Sequence, residues 1–523
     1  MKHKRAKHAV GEAATMFESA AKSTSLTARA FWLIFAKTLA FGFGFVLPLL
    51  LVRRLSQTEF GLYKQAFLVV GTASGILPLS FSMSAFYFLP RERERRGAIV
   101  FNIMLYNLLI GSLALIVFLT RPGLLGAIFN SPSLMPYAPQ VGCLILLWIV
   151  SSFLEIAAIA NQESRLSTIF IITTQFTKTA LLLTAAIISS TVEALLYAAI
   201  TQGVLQTVVL VLYLHSRFGR FWREFDWSVT RRQLAYALPI GFAAILYVVL
   251  TDLHNYFVSY RFGPAAFALY AIGCFSLPLV GIIGESVGPV MISRVCELQK
   301  EGRTRDIIEV VAGAMRKLSV IYFPLYALLL VVGRELIAFL FTPRYLASWP
   351  IFAINLTMLP FLILIADPII RSHAEHRFFL LKVRAVTIVV LFVALWYGSK
   401  HYGLLGAVSV MVCVNLADRL IEAVKAWTIV NVKWRDIVML KDVGKAGLAA
   451  LTSASVTAVV RALMFGQRPF AILAVCSVAF GCFYAAFIWL LGVPTNQERD
   501  IVRNRILRVQ RLLWSRSVIE PAA

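Results

Sequence analysis

Residues Arg53–Arg96 read RRLSQTEFGLYKQAFLVVGTASGILPLSFSMSAFYFLPRERERR. The stretch begins where an apolar run ends on two arginines. A polar turn, Ser56–Glu59, leads into Phe60-Gly61-Leu62-Tyr63, which opens a second apolar run rich in Gly, Ser and Pro. That run closes on Phe88-Leu89-Pro90, followed by alternating Arg and Glu. Apolar runs of about 20 residues are long enough to cross a bilayer core, and they recur along the whole chain of 523 residues. Hydrophobic residues are 59% of the chain and charged residues 15%, whereas a soluble domain is about 25% charged. The sequence therefore predicts an all-α polytopic membrane protein with about 14 transmembrane helices. Their expected limits are about 27–51, 61–89, 97–119, 138–160, 166–189, 193–214, 233–260, 265–291, 316–341, 347–369, 378–398, 402–428, 444–464 and 469–492.

The net charge of +24 suits a nucleic-acid partner by magnitude alone. The basic residues, however, sit in short loops between apolar runs, where membrane proteins keep them for topology and headgroup contact. No nucleic-acid partner is expected. With the N-terminus inside, about 37 of the 50 Lys and Arg fall on the inner side and about nine on the outer. That bias places both termini in the cytoplasm. Residues 1–26 have no apolar core with a small-residue cleavage site, so they read as a basic cytosolic tail and not a cleaved signal. The six cysteines form no CxxC pair and read as packed free thiols, with no metal and no cofactor implied.

The two halves repeat. Phe60-Gly61-Leu62-Tyr63 returns as Phe267-Ala268-Leu269-Tyr270, and Ile128-Phe129 as Leu340-Phe341. Glu155, Glu163 and Arg165 return at a constant shift of 212 as Asp367, Glu375 and Arg377. A shift of six spans preserves orientation, so the expected architecture is two pseudo-symmetric six-helix lobes related by an axis along the membrane normal, plus two C-terminal helices. The organisation is then an N-lobe over 27–214, an inner loop over 215–232, a C-lobe over 233–428, two further helices over 444–492 and a basic tail over 493–523. Within that tail, Arg499–Arg516 reads as an amphipathic helix lying on an anionic leaflet.

The polar turn with its Phe-Gly-Leu-Tyr step, and the Phe-Leu-Pro-Arg that closes the second run, resemble the start of the Wzx-like polysaccharide and O-antigen flippases. These form a branch of the multidrug/oligosaccharidyl-lipid/polysaccharide (MOP) exporter superfamily. The resemblance implies a MATE- and lipid II flippase-like fold and a transporter rather than an enzyme. It further implies that undecaprenyl-diphosphate-linked oligosaccharides are moved across a bacterial inner membrane by alternating access. Membrane lipids and a polysaccharide polymerase or export machinery would be partners, and a monomer is the expectation. A lipid II flippase and a cation-coupled small-molecule exporter of the same fold are the alternatives. A membrane polymerase or ligase fits less well: the longest expected outer loop, about Thr120–Ala138, carries one Arg and no acid or His. No HExxH, P-loop or nucleophile elbow is present either.

Ionisable residues inside a membrane are costly and therefore mark candidate sites. The N-lobe offers Lys37, Lys64 and Lys178, with Gln175 sharing the Lys178 face three residues away. A diphosphate moving through a low-dielectric bundle needs compensating positive charge. The resemblance implies a cationic central cavity, and these lysines are where it is expected. Lys64, near the outer end of its span, is also placed to snorkel. Arg53 and Arg54 at the outer mouth suit pyrophosphate contact or headgroup anchoring equally. The C-lobe offers acids. Asp252, Asn255 and Ser259 share one face of the seventh span, in a run resembling the family's seventh-span pattern. Glu285 lies in the eighth span, and Asn415, Asp418, Arg419 and Glu422 form a stripe in the twelfth. The resemblance places cation coupling on the seventh and twelfth spans, so Asp252, Glu285, Asn415 and Asp418 are candidates for Na⁺ or H⁺. A structural ion network through Arg419 and Glu422 is the other reading. Glu155 with Arg165, and Asp367 with Arg377, are read as ion pairs or gates on the inner face.

Overall fold

The computed structural model describes residue 35 and residues 37–376, 378–495 and 498–500. The expected N-terminal tail, Arg377 and the basic segment from 501 onward lie outside the described residues. In chain order the helices are α1 (37–54), α2 (Gln57–Ile76), α3 (Ser84–Arg91), α4 (Arg96–Thr120), α5 (Gly123–Phe129), α6 (Ala138–Ser151), α7 (Phe153–Ala160), α8 (Ser164–Ile188) and α9 (Val192–Phe218). They continue as α10 (Trp227–Gly273), α11 (Pro278–Lys300), α12 (Thr304–Phe341), α13 (Trp349–Leu356), α14 (Asp367–Ser372), α15 (Phe379–Ile429), α16 (Lys441–Leu463) and α17 (Pro469–Leu490). Every regular element among the described residues is helical. Among the described residues, eleven helices are long and apolar enough to cross a membrane, or twelve if the bent pair α2–α3 counts as one span. Many large apolar side chains stay exposed, such as Leu109, Leu113, Val389 and Val393. On a soluble protein such patches would be a liability, but in a bilayer they contact lipid.

The count falls below about 14 for two reasons. The helix at 37–54 adjoins residues outside the description, and the expected eleventh and twelfth spans run on without a loop as α15. The expected seventh span likewise runs into the start of the eighth within α10, although α11 counts as a span of its own. Each long helix holds one non-helical glycine: Gly263 at φ 76°, ψ 178°, and Gly403 at φ 59°, ψ −139°. These conformations favour residues without a Cβ. The chain reverses there. His254 and Tyr270 would stand about 24 Å apart along a straight helix, yet the His254 Nδ1 and the Tyr270 hydroxyl are 3.0 Å apart. At the other reversal a Cβ on Gly406 would lie 2.0 Å from the Gly398 carbonyl oxygen. The first arm past Gly263 then ends, and the expected eighth span is interrupted before Pro278 opens α11.

The stretch Arg53–Arg96 also folds less simply than its hydropathy. Ser56 caps α2 reciprocally: its Oγ accepts the Glu59 N–H at 3.2 Å, and Glu59 Oε2 accepts the Ser56 N–H at 2.9 Å. Ser-x-x-Glu before an apolar run is the capping-box pattern. The span expected over 61–89 is broken. Pro78 follows the end of α2, Leu79 and Ser80 take positive φ of 48° and 56°, and α3 resumes at a 48° bend. Irregular backbone at membrane depth is tolerated where protein covers it. Here Gly241 of α10 lies against the Leu79 carbonyl, where a Cβ would stand 2.4 Å from that oxygen. Gln233 donates to Ser84 at 3.1 Å, and Asn107 donates to Ser82 at 3.0 Å. The expected tenth span is likewise divided into α13, a 3₁₀ turn over Leu359–Ile363 and α14, with Pro360 and Pro368 at the breaks.

Two compact units emerge, Met1–Pro289 with Arg377–Val414, and Val290–His376 with Asn415–Ala523. The first has a core where Phe81, Phe88, Ile99, Ile103, Phe153 and Leu214 meet. Asp226 starts α10 by accepting the Ser228 and Val229 N–H groups at 2.8 and 3.3 Å. In the second unit α16 and α17 pack on α12 through small side chains, including Ala327, Ala450 and Cys476. Arg461 of α16 donates to Glu335 of α12 at 2.8 and 3.0 Å. After α17, Glu498 receives two hydrogen bonds from Arg316, at 2.8 and 3.1 Å. These bonds, chiefly, hold its carboxyl at about 2, well below the usual range.

At Gly61 the backbone of α2 lies close against α10: a Cβ there would stand 1.9 Å from the Pro264 carbonyl oxygen. Gly71 on the same helix has nothing within 4 Å of a Cβ among the described residues. Gly61→Ala should therefore lose about 1–3 kcal/mol of stability by overpacking, and Gly71→Ala should lose none. Thermal melting of the two purified variants checks this; equal melting points would mean that α2 is free to shift.

Candidate functional site

Lys64 and Lys178 of the first unit are joined by aromatic rings. Lys64 and the rings Phe60, Tyr63 and Phe67 all belong to α2, and spacings of three and four residues bring such rings together. Lys64 Nζ stands 5.6 Å from the Phe60 ring centroid. Phe60 is 6.1 Å from Tyr63, and Tyr63 is 4.5 Å from Phe67. Phe67 meets Trp148 of α6 edge-on at 5.7 Å. Lys178 Nζ of α8 closes the series, 4.0 Å from the Trp148 ring centroid. A cation over an indole face is held electrostatically, by about 2 kcal/mol or more when desolvated. The rings support the lysines without neutralising them. The Trp148 Nε1 is buried and has no hydrogen-bond acceptor among the described residues.

Lys37 of α1 is exposed, and its charge acts on the carboxylate of Glu155 in α7. Gln175, one turn before Lys178, faces α1 at Gly44, where a Cβ would lie 3.5 Å from its amide nitrogen. Phe43 and Phe176 meet edge-on at 5.7 Å between the same two helices. Thus α1 and α8 share a seam that carries Lys37 and Lys178 at different levels. Arg53 and Arg54 are exposed at the end of α1, with Arg53 donating to the Leu49 carbonyl at 2.7 Å.

The acidic candidate Asp252 also converges on α2. Its carboxylate accepts the Thr72 hydroxyl at 2.8 Å. One turn on, the Tyr256 hydroxyl reaches the Leu68 carbonyl at 3.4 Å, and its ring stacks on Phe129 at 5.4 Å. Two turns on, Ser259 accepts from the Gln65 amide at 2.6 Å. The sequence-predicted face of Asp252 and Ser259 is therefore a polar seam between α10 and α2. Glu285 lies on α11; its side chain is outside the described part.

In the second unit, Asn415, Asp418, Arg419 and Glu422 are carried on the later arm of α15, and each is engaged in polar or electrostatic contact. Arg419 acts on Tyr322 of α12. Asp367 pairs with Arg371, one turn along α14, at 2.7 Å. Arg165 is exposed. Glu163 binds Arg217 at 2.9 Å and Asn161 at 3.0 Å, and Arg96 hydrogen-bonds the same Asn161. Trp148, Thr72 and Gln65 do not stand out in the sequence. The spacing of Phe60, Tyr63 and Phe67 on one face of α2 is the available signal for the ring series. Among the described residues no three His, Cys, Asp or Glu side chains form a metal-binding group.

Comparison with solved structures shows the fold. A lipid II flippase, MurJ, in an inward closed conformation superposes with a TM-score of 0.66 at 13% identity, covering 91% of this chain and 100% of that one. An inward-facing multidrug resistance MATE transporter of the MOP superfamily gives 0.57 at 12% identity, covering 77% and 96%. A Vibrio cholerae MATE transporter gives 0.53 at 18% identity, covering 78% and 97%. Comparison with curated proteins gives no match. A family model described as "polysaccharide biosynthesis protein" matches residues 31–350. With more than half the chain matched, and a fold like that of the MurJ and MATE structures, the chain belongs to the polysaccharide biosynthesis protein family.

Proposed function

We propose that the protein is a flippase for undecaprenyl-diphosphate-linked oligosaccharide, which it moves from the cytosolic to the periplasmic leaflet of a bacterial inner membrane by alternating access. The observation that carries this reading is Lys178. Its ammonium lies within the transmembrane part of α8, seated on Trp148, with no carboxylate within 4.0 Å among the described residues. An unneutralised cation at membrane depth costs several kcal/mol. A diphosphate entering beside it offsets that cost, and the lysine in turn replaces water around the anion. Lys64 and Lys37 extend the cationic path. A small-molecule exporter that takes organic cations gains nothing from Lys178. Both termini are placed in the cytoplasm by the Lys and Arg bias, and the protein acts as a monomer beside a polysaccharide polymerase.

On this reading the seam between α2 and α10 supplies coupling. Asp252 with the Thr72 hydroxyl offers the oxygen ligands that suit Na⁺, or a carboxylate that takes up H⁺. Because α2 also bears Lys64 and the ring series, a change of charge at Asp252 acts on the helix that carries the cationic path.

Lys178→Ala should abolish glycan export in cells while the protein still inserts, and Lys178→Arg should keep part of it. Export of surface polysaccharide, normalised to membrane protein level, reads this; full export by the alanine variant removes Lys178 from the mechanism. Asp252→Asn should flatten the dependence of export on the Na⁺ or H⁺ gradient. An unchanged gradient dependence moves coupling to another residue.

A further inference from the structure

The second unit holds a cavity of about 510 Å³, within the range of small-molecule sites. Its wall is a single face of α12: Ile308, Val311, Ala312 and Met315 recur at helical spacing. Opposite lie the end of α15 and the turn beyond it. Asn431 takes a left-handed φ of 53°, and the Val432 N–H returns to the Trp427 carbonyl at 3.1 Å. This Schellman cap turns Val432 and Lys433 back along the cavity, and the 3₁₀ turn Trp434–Leu440 completes the wall.

The lining is apolar in its depth and basic at its mouth. Asp436 is the one acid among the lining residues, and both its oxygens are taken. One accepts from Arg305, and the other accepts the Lys433 N–H at 2.9 Å. Lys433 lines the cavity and is exposed, and Arg435, next to the lining residues Trp434 and Asp436, is exposed as well, so basic charge lies at this end. Trp434 is 87% exposed and Trp427 43%, and tryptophans of this kind sit at the headgroup level of a bilayer. An apolar depth, a cationic mouth and interfacial indoles match one chemistry: an acyl chain carrying an anionic headgroup.

We infer that this cavity binds an anionic phospholipid, with an acyl chain along the 308–315 face of α12 and the headgroup phosphate at Lys433 and Arg435. The site involves none of the residues assigned to the transported glycan lipid, so its occupancy is independent of that reading.

Native mass spectrometry of the purified full chain tests this, with equimolar phosphatidylglycerol, phosphatidylcholine and undecaprenyl phosphate. Wild type should retain phosphatidylglycerol about five-fold or more over phosphatidylcholine. Lys433→Gln/Arg435→Gln, which changes only exposed side chains, should remove that preference. Ala312→Trp, which fills the cavity, should lower retention of both phospholipids. Equal retention of the two by wild type, or a phosphatidylglycerol preference that survives both variants, overturns the site. Undecaprenyl phosphate retained above phosphatidylglycerol overturns it as well, and assigns the cavity to the tail of the transported lipid.

Discussion

Helix α2 touches α10 through backbone. Gly61 meets the Pro264 carbonyl, and Gly241 meets the Leu79 carbonyl. Between those contacts, polar side chains replace the missing glycines: Gln65 holds Ser259, and Thr72 holds Asp252. Inside a bilayer no hydrophobic force pulls helices together, so close packing and satisfied polar groups must do it. Everything assigned to function in the first unit depends on this contact. The face of α2 that turns from α10 bears Lys64 and the rings leading to Trp148 and Lys178. If α2 slid by one residue, glycine and carbonyl would no longer coincide, and both seams would lose register.

The contact also explains why α2 stops where it does. A straight continuation past Ile76 needs a backbone N–H at Pro78 that does not exist. The chain instead takes two left-handed residues and a 48° bend, with its carbonyls covered by α10. Gly263 and Gly403 answer the same constraint at the hairpins. A chain that must re-enter its own bundle without leaving backbone groups bare reverses within one residue.

Much of this was legible in the sequence. Hydropathy and charge identify the all-helical membrane class, and the Ser56–Glu59 pattern locates the start of α2. The expected span boundaries near 260 and 400 fall close to Gly263 and Gly403, although the chain reverses there without the loops that a polar gap suggests. The division of the second and tenth spans was less legible, because Pro78, Pro360 and Pro368 sit in runs whose apolar content is unbroken. At the site, single lysines and Asp252 stand out because charge is rare in such runs. Their partners do not. Trp148 is one of ten tryptophans in an apolar chain, and only packing singles it out as the seat of Lys178. At Asp367 the internal repeat directs attention to Arg377, which lies outside the described residues; among the described ones Arg371, one helical turn along, pairs with the carboxylate.

The central claim is that cations held on an aromatic series carry a diphosphate across the membrane. Leaflet exposure in proteoliposomes tests it most directly. A lipid-diphosphate-linked oligosaccharide is followed with an impermeant reagent, and wild type is compared with Lys64→Ala/Lys178→Ala reconstituted at equal density. The account predicts fast equilibration of the glycan by wild type and protein-free rates for the double variant. Equal flipping by both would contradict it, as would no flipping by folded wild type across several glycan lipids and ion gradients.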